Sequence, residues 1–439
     1  MNKRTFVKLL TTSITCGEWN TDAINERLCN AVDFQNLDTL LVAKSIYKKV
    51  AHIRDPEAKQ VEEALLNTPH FLGWLDQQTT PPKFVRMNLA SSEMRSISKH
   101  FIEDELPPLT TYKELSSWLN LTPSDLAWIA DSQNRQSSTS QAKLHHYHYQ
   151  WLKRANKSPR LLETPKSCLK SVQRKILTGI LDKVRPHEAA HGFRKGRSCI
   201  THALNHTGQE TLLCMDIENF FMSISWGRVY GLFYGLGYPK HIARILSALC
   251  TNTASPKLLG NTFLNLSWEQ RKLIIQPHLP QGAPTSPALA NLCCWKIDKR
   301  LAGLAKTLNL NYSRYADDLA FSGYNTCLKN NIYIRKFIEQ IAREEGFLIN
   351  HTKTYSAHHS QRQSIVGIVV NEHPNIARKD YDTLKAILHN CYIHGPETQN
   401  KEKIHNFQEH LRGRIAHVTS ISRLKGDKLQ SIYNKIEWR

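Results

Sequence analysis

Asn311-Tyr312-Ser313-Arg314-Tyr315-Ala316-Asp317-Asp318-Leu319-Ala320-Phe321-Ser322 sets two adjacent carboxylates between two short runs in which bulky and small side chains alternate. Alternation with a period of two is the pattern of strands, and two such runs separated by almost nothing read as a hairpin. The turn presents Asp317 and Asp318 at its tip. Neighbouring carboxylates repel each other, and held together they form a strong site for a divalent cation, which prefers oxygen ligands. A Tyr-x-Asp-Asp string arises by chance in roughly one chain in twenty of this size, so the rest of the chain has to decide between a metal site and a solvated acidic turn.

Working outward, a second acidic element lies about a hundred residues earlier. Thr211-Leu212-Leu213-Cys214-Met215 is a continuous apolar run, as a buried strand shows, and it ends at Asp216-Ile217-Glu218-Asn219-Phe220-Phe221. A carboxylate at the end of a buried strand is costly unless a metal or partner offsets its lost hydration. If the chain stays extended, one of Phe220 and Phe221 faces the core and the other a cleft. Leu279 to Pro287 form a turn-rich loop in which Gln281 offers donors and acceptors to a base or sugar. A helix carrying Leu289, Leu292, Cys293, Ile297, Leu301 and Leu304 follows it. Beyond the hairpin come a helix through Ile334 and Ile338, then Gly346 to Thr354, where Lys353 follows a strand and suits a phosphate. Ile365 to Asn371 read as one last short strand.

The charge balance points the same way. The 439 residues carry 58 Lys+Arg against 38 Asp+Glu, a formal charge of +20. Such an excess favours a polyanionic partner, and with no apolar run of about 18 residues to span a bilayer, nucleic acid is preferred to membrane. Ten cysteines without a Cys-x-x-Cys pair indicate neither a zinc ribbon nor a disulfide framework, which suits a reduced, cytoplasmic protein. The cations gather in particular places. His145 to Arg154 returning through Pro159 to Glu163 reads as an aromatic hairpin facing nucleic acid, with Lys153, Arg154 and Arg160. Ser167 to Val184 read as one helix with Lys170 and Arg174 off its apolar stripe. His191-Gly192-Phe193-Arg194-Lys195-Gly196-Arg197-Ser198 combines two glycines, which allow close backbone approach, with three cations, the composition of a phosphate contact. Ser198 caps the next helix, and Thr122 with Pro123 opens an earlier one. Residues 132–141 read as a polar loop. Residues 1–105 look helical, with Leu40, Leu41, Ala43, Ile46 and Tyr47 at helix spacing, and from Arg378 the chain is helical and basic. Asp216, Asp317 and Asp318 at strand ends in a basic chain are most simply a two-metal site for phosphoryl transfer, the ions about 4 Å apart.

Taken in order, these motifs resemble those of reverse transcriptases, most closely the bacterial retron enzymes, over about residues 120–420. The resemblance rests on Lys153, Arg154 and Arg160; Leu169-Lys170-Ser171-Val172-Gln173-Arg174; Ala190-His191-Gly192-Phe193; Asp216 with Phe220-Phe221; Pro280-Gln281-Gly282-Ala283-Pro284-Thr285-Ser286-Pro287; and Tyr315-Ala316-Asp317-Asp318. It implies an α+β right-hand polymerase: a helical N-terminal extension (1–105), fingers (106–210), a palm with an antiparallel sheet (211–375, with a fingers insertion around 235–280) and a helical thumb (376–439). It implies Asp216, Asp317, Asp318 and the Ile217 carbonyl as ligands to two Mg2+ ions, for which Mn2+ can substitute. It implies Phe221 as the gate against a 2′-hydroxyl, Lys153, Arg160, Gln281 and Lys353 around the incoming nucleotide, and Lys170, Arg174, Arg194, Lys195 and Arg197 on nucleic acid. The implied partners are a structured non-coding RNA template, the RNA–DNA product, deoxynucleoside triphosphates and, in a defence system, an effector protein; no membrane is implied. Two departures stand out. His202-Ala203-Leu204-Asn205-His206 replaces the family's usual Asn-Ala-x-x-His, and Ile365-Val366-Gly367 its Val-Thr-Gly, both linked in the family to recognition of the cognate RNA. A group II intron-type maturase and a non-catalytic RNA-binding scaffold are the alternatives.

Overall fold

The computed structural model describes residues 2–15, 19–50, 58–80, 83–85, 93–95, 101–131, 136, 141–154, 157–324 and 332–438. The expected loop at 132–141 falls almost entirely outside them. Two compact units divide the chain, Met1–Met94 and Arg95–Arg439. The first is helical: α1 Lys3–Thr15, α2 Thr21–Ala31, α3 Thr39–Lys49, α4 Ala58–Leu66 and α5 Pro69–Gln77. Asn20 and Asp38 side chains cap α2 and α3, and Pro69 opens α5. Phe6, Leu10, Ile14, Leu28, Val61 and Phe71 are among its buried core. The stripe of α3 is rotated from the expected one. Val42, Ala43 and Ile46 are buried, whereas Leu40, Leu41 and Tyr47 lie at the surface.

The second unit opens with α6 Tyr112–Leu119 and α7 Pro123–Ala130, the latter capped by Thr122 as expected. A hairpin, β1 Tyr147–Arg154 and β2 Lys157–Pro165, precedes α8 Ser167–Gly179. The helix expected to reach Val184 ends here and gives way to a 3-10 turn at Leu181–Lys183. At Gly179 a Cβ would lie 2.5 Å from the Trp118 ring, so the site requires glycine, a poor helix former. Then come α9 Cys199–Leu204, β3 Thr211–Ile217, α10 Trp226–Gly235, α11 Lys240–Cys250, α12 Pro256–Leu264 and α13 Trp268–Ile275. Leu259, Phe263, Leu266 and Ile274 of that helical insertion pack with Leu161 of the first hairpin in one small core. The single helix expected across Leu289 to Leu304 is two, α14 Ser286–Cys293 and α15 Trp295–Thr307, broken where Cys294 takes ψ near 0°.

The central sheet is antiparallel throughout. It is built from β4 Asn311–Tyr315, β5 Asp318–Gly323 and, after α16 Ile332–Glu344, β6 Ile349–His358, in the order β4-β5-β3-β6. Residues 365–371, expected as one strand, instead belong to a small three-stranded sheet. Its β7 Ser364–Ile365 and β8 Ile368–Val369 are joined by a turn in which Val366 and Gly367 both take positive φ, and β9 Asn375–Ile376 completes it. The C-terminal helices α17 Arg378–His394, α18 Phe407–Ile421 and α19 Arg423–Tyr433 enclose their own core around Leu388, Leu411, Ile415 and Leu429. No helix among the described residues is long and apolar enough to cross a membrane.

Candidate active site

The β4–β5 hairpin closes through a two-residue turn, Ala316-Asp317, with Tyr315 opposite Asp318. Ala316 takes φ +56°, a conformation that costs a non-glycine residue about 1 kcal/mol or more. The structure beneath it explains why it persists. Arg314 is completely buried. Its Nε and Nη2 donate to the two Asp298 oxygens at 2.8 and 2.7 Å, and its Nη1 donates to the Ala316 carbonyl at 2.9 Å and to Asn291 Oδ1 at 3.1 Å. Asn291 Nδ2 in turn donates to the Gly192 carbonyl at 2.7 Å, and Tyr312 donates its hydroxyl proton to Asp298 at 2.8 Å. Gly192 approaches so closely that a Cβ there would stand 2.7 Å from the Ala316 nitrogen. The close approach expected of this glycine is made to the turn backbone. Gly196 needs its freedom for another reason, a turn at φ +74° with open space around it.

The turn sits against β3. Asp216 is paired directly across from Asp318, and Ile217 N–H donates to the Asp317 carbonyl at 2.8 Å. Asp216 is buried; Asp317 and Asp318 are half-buried. Burial, with the charges of Asp317 and Asp216 added, pushes the Asp318 carboxyl up to about 6. Burial and the Asp216 charge likewise raise Asp317, against the pull of Lys353 and Arg160. Three carboxylates kept this close, two of them with raised proton affinity, need positive charge. Part of it comes from Lys353, whose ammonium bonds Asp216 Oδ1. Lys353 lies within β6, not after a strand as expected. The β3–β6 register slips between Cys214 and Asp216, which pair with Tyr355 and Asn350, and Lys353 falls in the bulged stretch between those partners, which aims it at Asp216. The oxygen donors suit a hard divalent cation. As the side chains stand, no group of three or more His, Cys, Asp or Glu among the described residues is arranged to hold a metal ion, and Asp216 gives an oxygen to Lys353 instead.

Comparison with known proteins agrees with this geometry. The family described as reverse transcriptase (RNA-dependent DNA polymerase) matches residues 152–370. The chain is 32% identical over 282 residues to the Retron Ec86 reverse transcriptase of Escherichia coli, covering 64% of this chain and 78% of that one. This chain belongs to the retron reverse transcriptase family. It is also 35% identical over 272 residues to the Retron Mx65 reverse transcriptase and 32% over 336 residues to the Retron Mx162 reverse transcriptase, both of Myxococcus xanthus. The matches cover 62% and 73% of this chain and only 60% and 66% of those relatives. A solved foamy viral protease-reverse transcriptase in complex with RNA/DNA hybrid aligns over 93% of this chain and 45% of that one, at 14% identity and a TM-score of 0.36, too distant a likeness to carry weight.

The other residues expected at the site lie on several separate segments of this retron-type chain. Residues 218–223 are a turn, not extended chain, yet Phe220 is buried and Phe221 half-exposed. Phe221 belongs to an aromatic group with the exposed Phe193, whose ring centre is 6.3 Å from that of Phe221 and 6.4 Å from that of Tyr315. The Gln281 carbonyl accepts from Glu163 N–H at 2.9 Å, joining its loop to β2, the strand that carries Arg160. Lys153 and Arg160 are exposed on the first hairpin, and the Arg154 side chain lies outside what the structure describes. On α8, Lys170 is half-buried and Arg174 exposed, while Arg194 and Arg197 both pair with Glu188 at 3.0 Å and Lys195 is exposed.

The His202 to His206 segment, linked in the family to RNA recognition, carries two histidines that pack inside the protein. His202 and His206 are fully buried. The His206 ring bonds Ser322 through Nδ1 and Ser313 through Nε2, both at 2.7 Å, and Ser313 also bonds His202 at 2.7 Å. His202 and His206 therefore brace both strands of the acidic hairpin from behind. Arg314, Asp298, Asn291, His278 and Glu163 had no role in the sequence-based site. For Asp298 there was a signal, a charge inside the apolar stripe of α15.

Proposed function

We propose that this chain is an RNA-directed DNA polymerase that copies a structured non-coding RNA into DNA within a retron or related antiphage system. The observation that carries the reading is the register that sets Asp216 against Asp318, with Asp317 at the adjoining turn. Asp216, Asp317, Asp318 and the Ile217 carbonyl would hold two Mg2+ ions. Bound there, divalent cations lower the pKa of a primer 3′-hydroxyl and neutralise the triphosphate. The chain's own groups do the rest. Lys353, Arg160 and Lys153 supply positive charge to the triphosphate as the 3′-oxygen attacks the α-phosphorus and pyrophosphate leaves. The Phe221 ring would fill the space a 2′-hydroxyl needs, and Gln281 would meet the nucleotide from its loop. Lys170, Arg174, Arg194, Lys195 and Arg197 lie on segments suited to template and primer phosphates, and an effector protein would complete the system in the cytoplasm.

The test is direct. Purified protein with its co-purifying RNA, deoxynucleotides and Mg2+ should make labelled DNA, and Asp317→Ala should abolish it. No synthesis on any template by the unaltered protein would overturn the polymerase reading in favour of a non-catalytic scaffold.

A further inference from the structure

Behind the first hairpin lies a polar cluster that shares no side chain with the catalytic network. Glu163 on β2 is completely buried and His278 is 1% exposed. Glu163 Oε2 faces His278 Nε2 at 2.8 Å, and Glu163 Oε1 accepts from Asn252 Nδ2 at 2.7 Å. His278 Nδ1 lies 2.7 Å from the Gln276 carbonyl. An imidazolium that donates from Nε2 to the Glu163 carboxylate and from Nδ1 to the Gln276 carbonyl fits both contacts. Burial alone pulls the His278 pKa down; the Glu163 charge and the two hydrogen bonds outweigh it and the net shift is upward. Asn252 also donates to Tyr149 on β1 at 3.1 Å.

The main chain around this pair reaches three of the segments assigned to the incoming nucleotide: β2, the Gln281 loop and the Phe221 turn. His278 and Asn252 exchange two backbone hydrogen bonds, of 2.9 and 3.0 Å. On either side of His278, the Pro277 carbonyl accepts from Trp226 and Leu279 N–H donates to Ile224, which fixes the end of the Phe221 turn. Glu163 N–H donates to the Gln281 carbonyl, and a Cβ on Gly282, at φ +134°, would meet the Glu163 carbonyl at 2.9 Å.

We propose that Glu163, His278 and Asn252 are positioning residues that hold β2, the Gln281 loop and the Phe221 turn in one fixed relation, and so set the pocket for the incoming deoxynucleoside triphosphate. The proposal rests on the polymerase reading above. A buried ion pair is a poor source of net stability, because desolvation consumes most of its attraction; fixed geometry is what it contributes. The acidic hairpin is anchored separately, through Arg314, Asp298 and Asn291. Loosening the clamp should therefore weaken nucleotide binding and leave the chemical step largely intact.

The experiment is steady-state primer extension with Glu163→Ala, Glu163→Gln and Asn252→Ala, with primer–template affinity and melting temperature measured on each. Glu163→Ala should raise KM for deoxynucleotides by about tenfold or more, with kcat and primer–template Kd changed less than about threefold. Glu163→Gln should recover most of that loss. Its amide nitrogen donates to a neutral His278 and its oxygen still accepts from Asn252, so the contacts survive without the charges. Asn252→Ala, the milder change, should raise KM in the same direction and carries the test if Glu163→Ala does not fold. Glu163→Ala in a Gln281→Ala background should add little, since both changes disable one pocket. A folded Glu163→Ala, or Asn252→Ala in its place, with unchanged KM refutes the proposal. So does a loss spread equally over KM, kcat and melting temperature that Glu163→Gln does not relieve. If the unaltered protein makes no DNA, the polymerase reading itself fails, an outcome distinct from either.

Discussion

Replacing Gly192 with alanine tests the account of the acidic turn most sharply. The added methyl would stand 2.7 Å from the Ala316 nitrogen and 3.3 Å from the Tyr315 carbonyl carbon, where ordinary contact begins near 3.4 Å. One of the two chains must yield by about 0.7 Å, and the obstacle is main chain, with no side chain able to swing aside. Neither chain is free to do so. The Gly192 carbonyl is held by Asn291, His191 N–H by the Arg314 carbonyl at 2.8 Å, and the Ala316 carbonyl by Arg314. Overpacking of this kind costs about 1–3 kcal/mol, and a misplacement approaching 1 Å at reacting groups costs up to about a hundredfold in rate. Gly192→Ala should therefore lower kcat by about ten- to a hundredfold while the fold survives with a melting temperature only several degrees lower. Single-turnover primer extension at saturating nucleotide, beside a circular-dichroism melt, reads both quantities. Gly303→Ala is the control. It lies on the exposed face of α15 with nothing within 4 Å of its Cβ and should be neutral or slightly stabilising. A Gly192→Ala protein within about twofold of the unaltered kcat would refute the claim that this contact positions Asp317.

Phe221→Ala should lower discrimination against ribonucleotides by about tenfold or more in the ratio of kcat/KM values; unchanged sugar selectivity would reject the gate. Burial lowers the pKa of His206 to about 3 and, with neighbouring positive charge, that of His202 to about 2. The unfolded chain therefore binds protons below about pH 6.5 that the folded chain refuses, so stability is full above that value and falls as pH falls. Melting temperature should drop from pH 7 to pH 5, less steeply in His206→Gln, and a flat profile for the unaltered protein would contradict the neutral, buried assignment. Asp298→Leu alone should cost about 3–5 kcal/mol in denaturant unfolding, by leaving Arg314 charged and unpaired. Asp298→Leu with Arg314→Met should recover stability but not DNA synthesis, and recovery of both would show that the ion pair has no geometric role.

What could be read from the chain is whatever depends on neighbours in sequence. The alternation around Asp317 and Asp318 gave the hairpin, the apolar run before Asp216 gave the buried strand, and Thr122 and Ser198 cap the helices they precede. Errors arose where the local pattern is shared by two structures. Apolar spacing continues past Gly179 and through Cys294, but the helices stop, in the first case because a ring from another helix needs the space. Ile365 to Val370 are apolar enough for one strand, yet positive φ at Val366 and Gly367 turns them into a hairpin.

The positioning contacts were hidden for a different reason. Arg314 and Asp298 are 16 positions apart, Gly192 and Ala316 124, and Glu163 and His278 115, so no window of sequence contains both partners of the last two. Their burial is also the opposite of what charge alone suggests, since a lone Arg or Glu reads as surface. Completely buried ion pairs are retained at a desolvation cost that an apolar core would avoid. Here one such pair fixes the turn beside Asp317 and another ties β2 to the Gln281 loop, both at places where an apolar contact could not fix a main-chain carbonyl or orient a loop. Directional hydrogen bonds can, and that difference accounts for charged residues standing where hydrophobic ones would serve stability equally well.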